Sequence, residues 1–389
     1  MRPSRRRILV RRGAGVLGAA GATAAIALLL GGGSEKPSPD APPGTTGVPP
    51  KVRALLGRLS TEQKVDQVLA LGFAGTDSTS PVLEKLRARQ LGAVFVGAAN
   101  WADAAQGTAL IGEMRAAAEQ GGPVPPLVIA SQEGGIYRSF ADLPPPQREI
   151  EIGDSGDPRV ALNWSKQAGR ALRDAGFDLN LFPVADVATL DSPIADRAFG
   201  EEPDLVAQMT VAALIGCRDA GIGCAPAHFP GMGAVSADTD LGPATVGENT
   251  ATLLGRDLTP FRAAVAAGAP ALVLSHAFYA AFDPVTPASQ ASSIATVLLR
   301  RRIGFTGVAI TDDLDTGAVK ALGSVRDAAV ASLAAGADLL LIESPGEVQE
   351  AVRSALLRAV RDGKVAKSRL DEAAGRVLEL KRRLGLLPV

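Results

Sequence analysis

The chain has 389 residues, with 40 Lys and Arg against 41 Asp and Glu, a formal net charge of −1. At 47% hydrophobic and 21% charged it is long and apolar enough to bury a globular core, and so balanced a charge leaves no electrostatic case for nucleic acid as a partner. Two histidines and two cysteines leave too few ligands for a His/Cys metal cluster, and no cofactor is implied.

Residues 1–33 read as an export signal or signal anchor. Arg2, Arg5, Arg6, Arg7, Arg11 and Arg12 precede an uncharged Ala/Gly/Leu-rich run from Gly13 to Gly33. Basic residues stay on the cytoplasmic side while the apolar run enters the bilayer. Ser4-Arg5-Arg6-Arg7-Ile8-Leu9 resembles a twin-arginine signal, which implies export of a folded protein. No A-x-A site closes the run, so both a secreted and a membrane-anchored product are expected outcomes, with the following domain outside the cytoplasm. Membrane contact is expected through this segment alone. Residues 34–50, rich in Pro, Gly, Ser and Thr, read as a flexible linker.

From residue 51 to 389 short apolar runs alternate with amphipathic stretches. The runs 68–73, 91–97, 127–130, 177–184, 223–227, 271–275, 307–311 and 337–342 are mostly continuous rather than alternating, as strands buried on both faces are. Helical periodicity marks stretches such as 159–175, 204–219 and 347–362, and a last helix at 368–384. Eight such units predict an α/β fold of one domain, a (β/α)8 TIM barrel. In such barrels chemistry sits at the C-terminal ends of strands. The runs end in Gln132 and Glu133, Asp186, His228, His276, Asp312 and Asp313, and Glu343, in the order of strands three to eight.

Cys217 and Cys224 are expected to be two small apolar residues, one at a helix end and one entering a strand. A disulfide is the alternative, allowed by an oxidising compartment. Trp101 follows the second strand on the side where a pocket opens and is a candidate platform for stacking a ligand, whereas Trp164 falls within a helix and belongs to the core. Gly231-Met232-Gly233 is too short for a phosphate loop.

The strand ends carry motifs in a fixed order: Gln132-Glu133-Gly134-Gly135 with Arg138, Pro183-Val184-Ala185-Asp186-Val187, Asp196-Arg197-Ala198-Phe199-Gly200, His228-Phe229-Pro230-Gly231-Met232-Gly233, and Ile303-Gly304-Phe305-Thr306-Gly307 leading to Thr311-Asp312-Asp313-Leu314. Over residues 51–389 the chain resembles the single-domain β-N-acetylglucosaminidase branch of family 3 glycoside hydrolases. The resemblance implies a retaining hydrolase of amino-sugar glycans, peptidoglycan fragments among them, with Asp312 as nucleophile and Arg138, Arg197 and His228 at sugar-binding positions. Retaining glycosidases need such a carboxylate and a proton donor on opposite sides of the scissile bond.

Four positions depart from the family pattern. The family's Asp-Ser-His motif, whose histidine donates the proton, is here Asp238-Thr239-Asp240. Its lysine before His228 is Ala227, its aspartate before Gln132 is the substrate-facing Ser131, and the histidine between its two glycines is Met232. Either Asp240, with Asp238 beside it, does the acid's work or the family mechanism is absent. A like charge or partial burial would keep Asp240 protonated near neutrality. Two functions therefore stand open: an extracytoplasmic glycosidase, or a catalytically impaired barrel acting as a glycan-binding or scaffold protein.

Overall fold

The computed structural model describes residues 48–387. The signal or anchor at 1–33 and nearly all of the linker at 34–50 lie outside the described residues. Among the described residues, no helix is long and apolar enough to cross a membrane.

All eight expected strands form, each followed by a helix. Strands β1 (Leu69–Leu71), β2 (Ala93–Phe95), β3 (Leu127–Ala130), β4 (Leu179–Asn180) and β5 (Gly223–Cys224) pair in parallel with their sequence neighbours. Strand β6 (Ala271–Leu274) pairs with β7 (Val308–Thr311), and β8 (Leu340–Ile342) returns to β1. Single parallel bridges, Phe229 to Leu274 and Ile310 to Leu339, close the ring. The paired segments are shorter than the apolar runs because burial outlasts the hydrogen-bond ladder. In the fourth run the ladder stops before Pro183, which lacks an N–H, and resumes as one bridge between Val184 and Ala227.

The helices that follow β1 to β8 are α1 (Val82–Ala88), α2 (Ala104–Gly121), α3 (Pro158–Asp174), α4 (Pro203–Ala220), α5 (Leu258–Ala266), α6 (Ser293–Arg302, with π-type bonding), α7 (Val325–Ala335) and α8 (Glu347–Arg361). Their starts follow local rules. Asp103 accepts from the Gln106 N–H at 2.8 Å to cap α2, and Pro158 and Pro203 sit in the first turns of α3 and α4. The last helix, α9 (Lys367–Arg383), closes the N-terminal mouth. Its Val377 and Leu380 join the side chains that fill the barrel, and its buried Lys381 donates to Gln67 and to the Leu91 carbonyl just before β1 and β2. Burial pushes the Lys381 ammonium well below its usual pKa. Substrate access is left to the opposite, C-terminal mouth.

The core divides by alternation along the strands. Ala70, Ala93, Phe95, Leu127, Ile129, Val308, Ile310, Leu339 and Leu341 face inward, and their neighbours pack outward on the helices.

The expectation of two unbridged cysteines is overturned: Cys217 and Cys224 form a disulfide. Cys217 lies in the last turn of α4, and Gly221, at φ 79°, reverses the chain so that Cys224 in β5 returns to 6.1 Å between Cα atoms. The helix-end and strand-start placement was right; what joins the two is the left-handed turn. Replacing both cysteines by alanine is expected to cost about 2–3 kcal/mol, read as a lower urea midpoint, and an unchanged midpoint would show that the bridge contributes nothing.

Candidate active site

The C-terminal mouth gathers charged groups from five strand ends. Asp312 follows β7 and continues the inward-facing series of Val308 and Ile310. Its Oδ1 accepts from the Asp313 N–H at 3.0 Å, and its side chain remains 22% exposed. His276, at the end of β6, is fully committed: Nδ1 lies 2.8 Å from Ser289 Oγ and Nε2 3.0 Å from the Asp313 carbonyl oxygen. It fixes the Asp312–Asp313 turn and has no ring nitrogen left for a sugar.

His228 stands over Asp312 with Nε2 4.0 Å from Oδ2. Its Nδ1 lies 2.7 Å from Asp186 Oδ2 and carries the proton, since a carboxylate only accepts. Burial alone would lower its pKa, but the charge and hydrogen bond of Asp186, joined by Asp312, raise it above the ordinary imidazole value. Asp186 Oδ1 also takes the N–H of Met232 at 2.7 Å, holding the whole 228–233 loop. That loop needs its glycines. Gly231 has φ 116°, and a Cβ on Gly233 would meet the Val187 carbonyl oxygen at 2.0 Å. An Asp186→Asn change is expected to lower the His228 pKa, which is readable by NMR because the chain has only two histidines. An unmoved titration would show that Asp186 does not set it.

Arg197 donates through Nε and Nη2 to both carboxylate oxygens of Glu133, at 2.9 and 2.7 Å. Burial opposes its charge, yet Glu133, with Asp312 and Asp240 nearby, holds the guanidinium firmly protonated. The guanidinium also lies 5.7 Å from the centroid of the Tyr137 ring. Behind this pair sits Glu149, buried, with Oε1 accepting from the Val184 N–H at 3.0 Å and Oε2 unpartnered. Burial and the Glu133 charge push it well above the usual carboxyl range. Nothing in the sequence pattern singled out Glu149.

The loop after β5 brings Asp238 and Asp240 to the same mouth. Asp238 Oδ1 accepts the Asp240 N–H at 3.0 Å, so Asp238 shapes the turn. The carbonyls of Thr239 and Asp240 accept the N–H groups of Ala318 and Gly317, at 3.1 and 2.9 Å, which pins the loop beside the chain leaving Asp312. Partial desolvation of the carboxyl, with repulsion from Asp312 and Asp238, pushes Asp240 up to about 6. Because the residue itself is exposed, those like charges matter more than burial does.

Other expected positions fall differently. Arg138 is occupied by its own loop, donating to the carbonyls of Gly135 and Leu143 at 2.8 and 3.3 Å. Ser131 is half-buried, and its carbonyl accepts the Ser139 hydroxyl. Ala227 and Met232 are buried where the family pattern has a lysine and a histidine. Trp101 is no sugar platform: its ring stacks on Phe140 at 4.3 Å, its Nε1 donates to Asp142, and a Cβ on Gly107 would collide with it at 2.1 Å. Trp164 packs against the core, as expected.

A family model for the N-terminal domain of glycosyl hydrolase family 3 matches residues 60–380. The chain belongs to glycosyl hydrolase family 3. It is 32% identical to a β-hexosaminidase of Stenotrophomonas maltophilia over 80% of this chain and 98% of that protein. A β-hexosaminidase of Xylella fastidiosa is 34% identical over 73% of this chain and 86% of its own length. Among solved structures, a family 3 β-N-acetylglucosaminidase from Paenibacillus superposes with a TM-score of 0.81 at 31% identity, covering 84% of this chain and 63% of that one. A β-N-acetylhexosaminidase from Beutenbergia cavernae gives 0.73 at 31% identity, over 83% of this chain and 99% of that one. Family 3 membership makes the clustering of Asp312, His228, Arg197 and Asp240 the natural focus for chemistry.

Proposed function

We propose that this family 3 barrel is a retaining glycoside hydrolase that cleaves O-glycosidic bonds of amino-sugar glycans of the β-N-acetylhexosaminide class. The observation that carries the reading is Asp312 itself: an inward-facing carboxylate at the end of β7, partly exposed, with the raised-pKa His228 4.0 Å away and the Arg197 guanidinium nearby. A carboxylate oxygen so placed can act as the nucleophile. Its oxygen attacks the anomeric carbon, the glycosidic bond breaks, and the leaving oxygen takes a proton. Water then displaces Asp312 and restores the carboxylate. With an aspartate where the family has its histidine, the proton comes from a carboxyl of the same mouth rather than from an imidazole on that loop.

Export is part of the same proposal. The basic and apolar residues 1–33 support it, and so does a disulfide suited to an oxidising compartment. Peptidoglycan fragments are the amino-sugar glycan such a location favours. Release of nitrophenol from 4-nitrophenyl β-N-acetylglucosaminide by the purified protein tests the activity. Saturable binding of muropeptides without turnover over a panel of aryl glycosides would replace it with the glycan-binding reading.

A further inference from the structure

We propose that Glu343, at the inward-facing end of β8 beside Asp312, is the acid/base residue that protonates the leaving oxygen, the role the family pattern gives to a histidine on the loop after β5. The inference rests on the hydrolase reading above and concerns which group of that site moves the proton.

Register and alternation place the side chain. Ile310 of β7 bridges Leu339, so Asp312 lies level with Leu341 on the neighbouring strand. Leu339 and Leu341 both belong to the set that fills the barrel, and Glu343 is the next member of that alternate series. Adjacent strands lie about 4.8 Å apart, and two residues rise about 6.6 Å. Glu343 therefore starts one step above Asp312 on the next strand, a spacing from which two carboxyls can converge on one glycosidic bond. Its backbone is fixed from two sides. The Glu343 N–H donates to Asp313 Oδ1 at 3.0 Å, and a Cβ on Gly72 at the end of β1 would come within 2.1 Å of the Glu343 carbonyl oxygen. Gly72 and Gly97 continue the inward series of β1 and β2, so no side chain from those strand ends fills the mouth next to it.

Glu343 is exposed, and its carboxyl has no hydrogen-bond or ion-pair partner among the described residues. The charged groups that bear on it are Asp313 and Asp312 from β7 and Asp240 from the β5 loop, all acidic. Desolvation, weakened at an exposed side chain, and the repulsion of these three neighbours push it up to about 8, which favours the protonated acid. Asp240 titrates lower, on a shorter side chain. The cycle also closes electrostatically. While Asp312 is ionised, Glu343 stays protonated and gives that proton to the departing oxygen as the C1–O bond breaks. Once Asp312 is esterified its charge is gone, the Glu343 carboxylate takes a proton from the incoming water, and hydrolysis of the ester returns both groups to their first state.

Glu343→Gln, Glu343→Ala and Asp240→Asn in the full chain test this with two substrates, an activated aryl β-N-acetylglucosaminide and chitobiose, whose leaving group needs protonation. Glu343→Gln is expected to lose about 10²–10⁴-fold in kcat/KM on chitobiose and far less on the activated glycoside, and to lose the alkaline limb of the pH profile. Azide is expected to restore turnover of the activated substrate by Glu343→Ala, with a β-glycosyl azide as product. If Asp240→Asn shows this leaving-group signature and Glu343→Gln does not, Asp240 is the donor and the inference falls. If the wild-type protein hydrolyses neither substrate, the hydrolase reading itself fails, and this inference with it.

Discussion

Replacing Asp312 by asparagine is expected to lower kcat/KM on an aryl β-N-acetylglucosaminide by about 10⁴-fold or more, about 5 kcal/mol of transition-state stabilisation. Asparagine keeps the size of the side chain and can keep the bond from the Asp313 N–H, so the fold should be preserved. What disappears is the negative charge and the nucleophilic oxygen. The loss of charge gives a second readout that needs no turnover. Asp312 raises the pKa of Asp240 and of His228, so both should titrate lower in the variant. Unimpaired hydrolysis by Asp312→Asn would remove it as nucleophile. Lost activity without any movement of the His228 titration would mean that the carboxylate does not face the imidazole as the 4.0 Å contact implies.

Asp338→Ala is expected to destabilise the chain by about 3–5 kcal/mol, the cost of leaving buried charge without its partner. Asp338 sits just before β8, fully buried, and its carboxylate receives Arg300 from α6 together with Arg369 and Arg376 from α9 at 2.6 and 3.0 Å. The Ala309 N–H of β7 adds a bond at 3.1 Å. Burial would raise the pKa of this carboxyl, but the three guanidinium groups outweigh it and hold Asp338 at about 2. The sign follows from that depression. The unfolded group binds a proton more readily than the folded one, so the stabilisation is complete above the unfolded pKa of about 3.9 and is lost as pH falls through about 2. A urea midpoint for Asp338→Ala within error of the wild type would show that the three arginines find other partners or water.

Most of the barrel was legible because parallel strands buried on both faces are written as continuous apolar runs, and eight of them stand out against amphipathic helices. Strand ends were legible less sharply. The run at 177–184 marks burial, yet Pro183 ends the ladder inside it, so hydrophobicity overstated the paired length. The clustering was legible where motif and strand end coincide, at Asp312 and His228, and from the loop motif that carries Arg197. It was not legible where a side chain's partner comes from far along the chain. Arg138 and Arg197 look alike as charged loop residues, but one is spent on the carbonyls of Gly135 and Leu143 and the other is clamped by Glu133. Trp101 looked like an exposed platform because Phe140, Phe177 and Asp142, which enclose it, lie about 40 residues or more away in sequence.

By itself, then, the sequence determined the architecture, the family resemblance and the position of the nucleophile candidate, because these depend on periodicity and on local order along the chain. Only the tertiary structure decided that Cys217 and Cys224 are joined, since a left-handed turn at Gly221 brings them together. It alone decided that Asp238 shapes a turn while Asp240 lies near Asp312, and that Glu343 ends an inward-facing series on the strand beside Asp312. The physical reason is common to these cases. A carboxyl's charge state and an arginine's availability are set by what the fold packs around them, and those neighbours come from elements far apart in the chain.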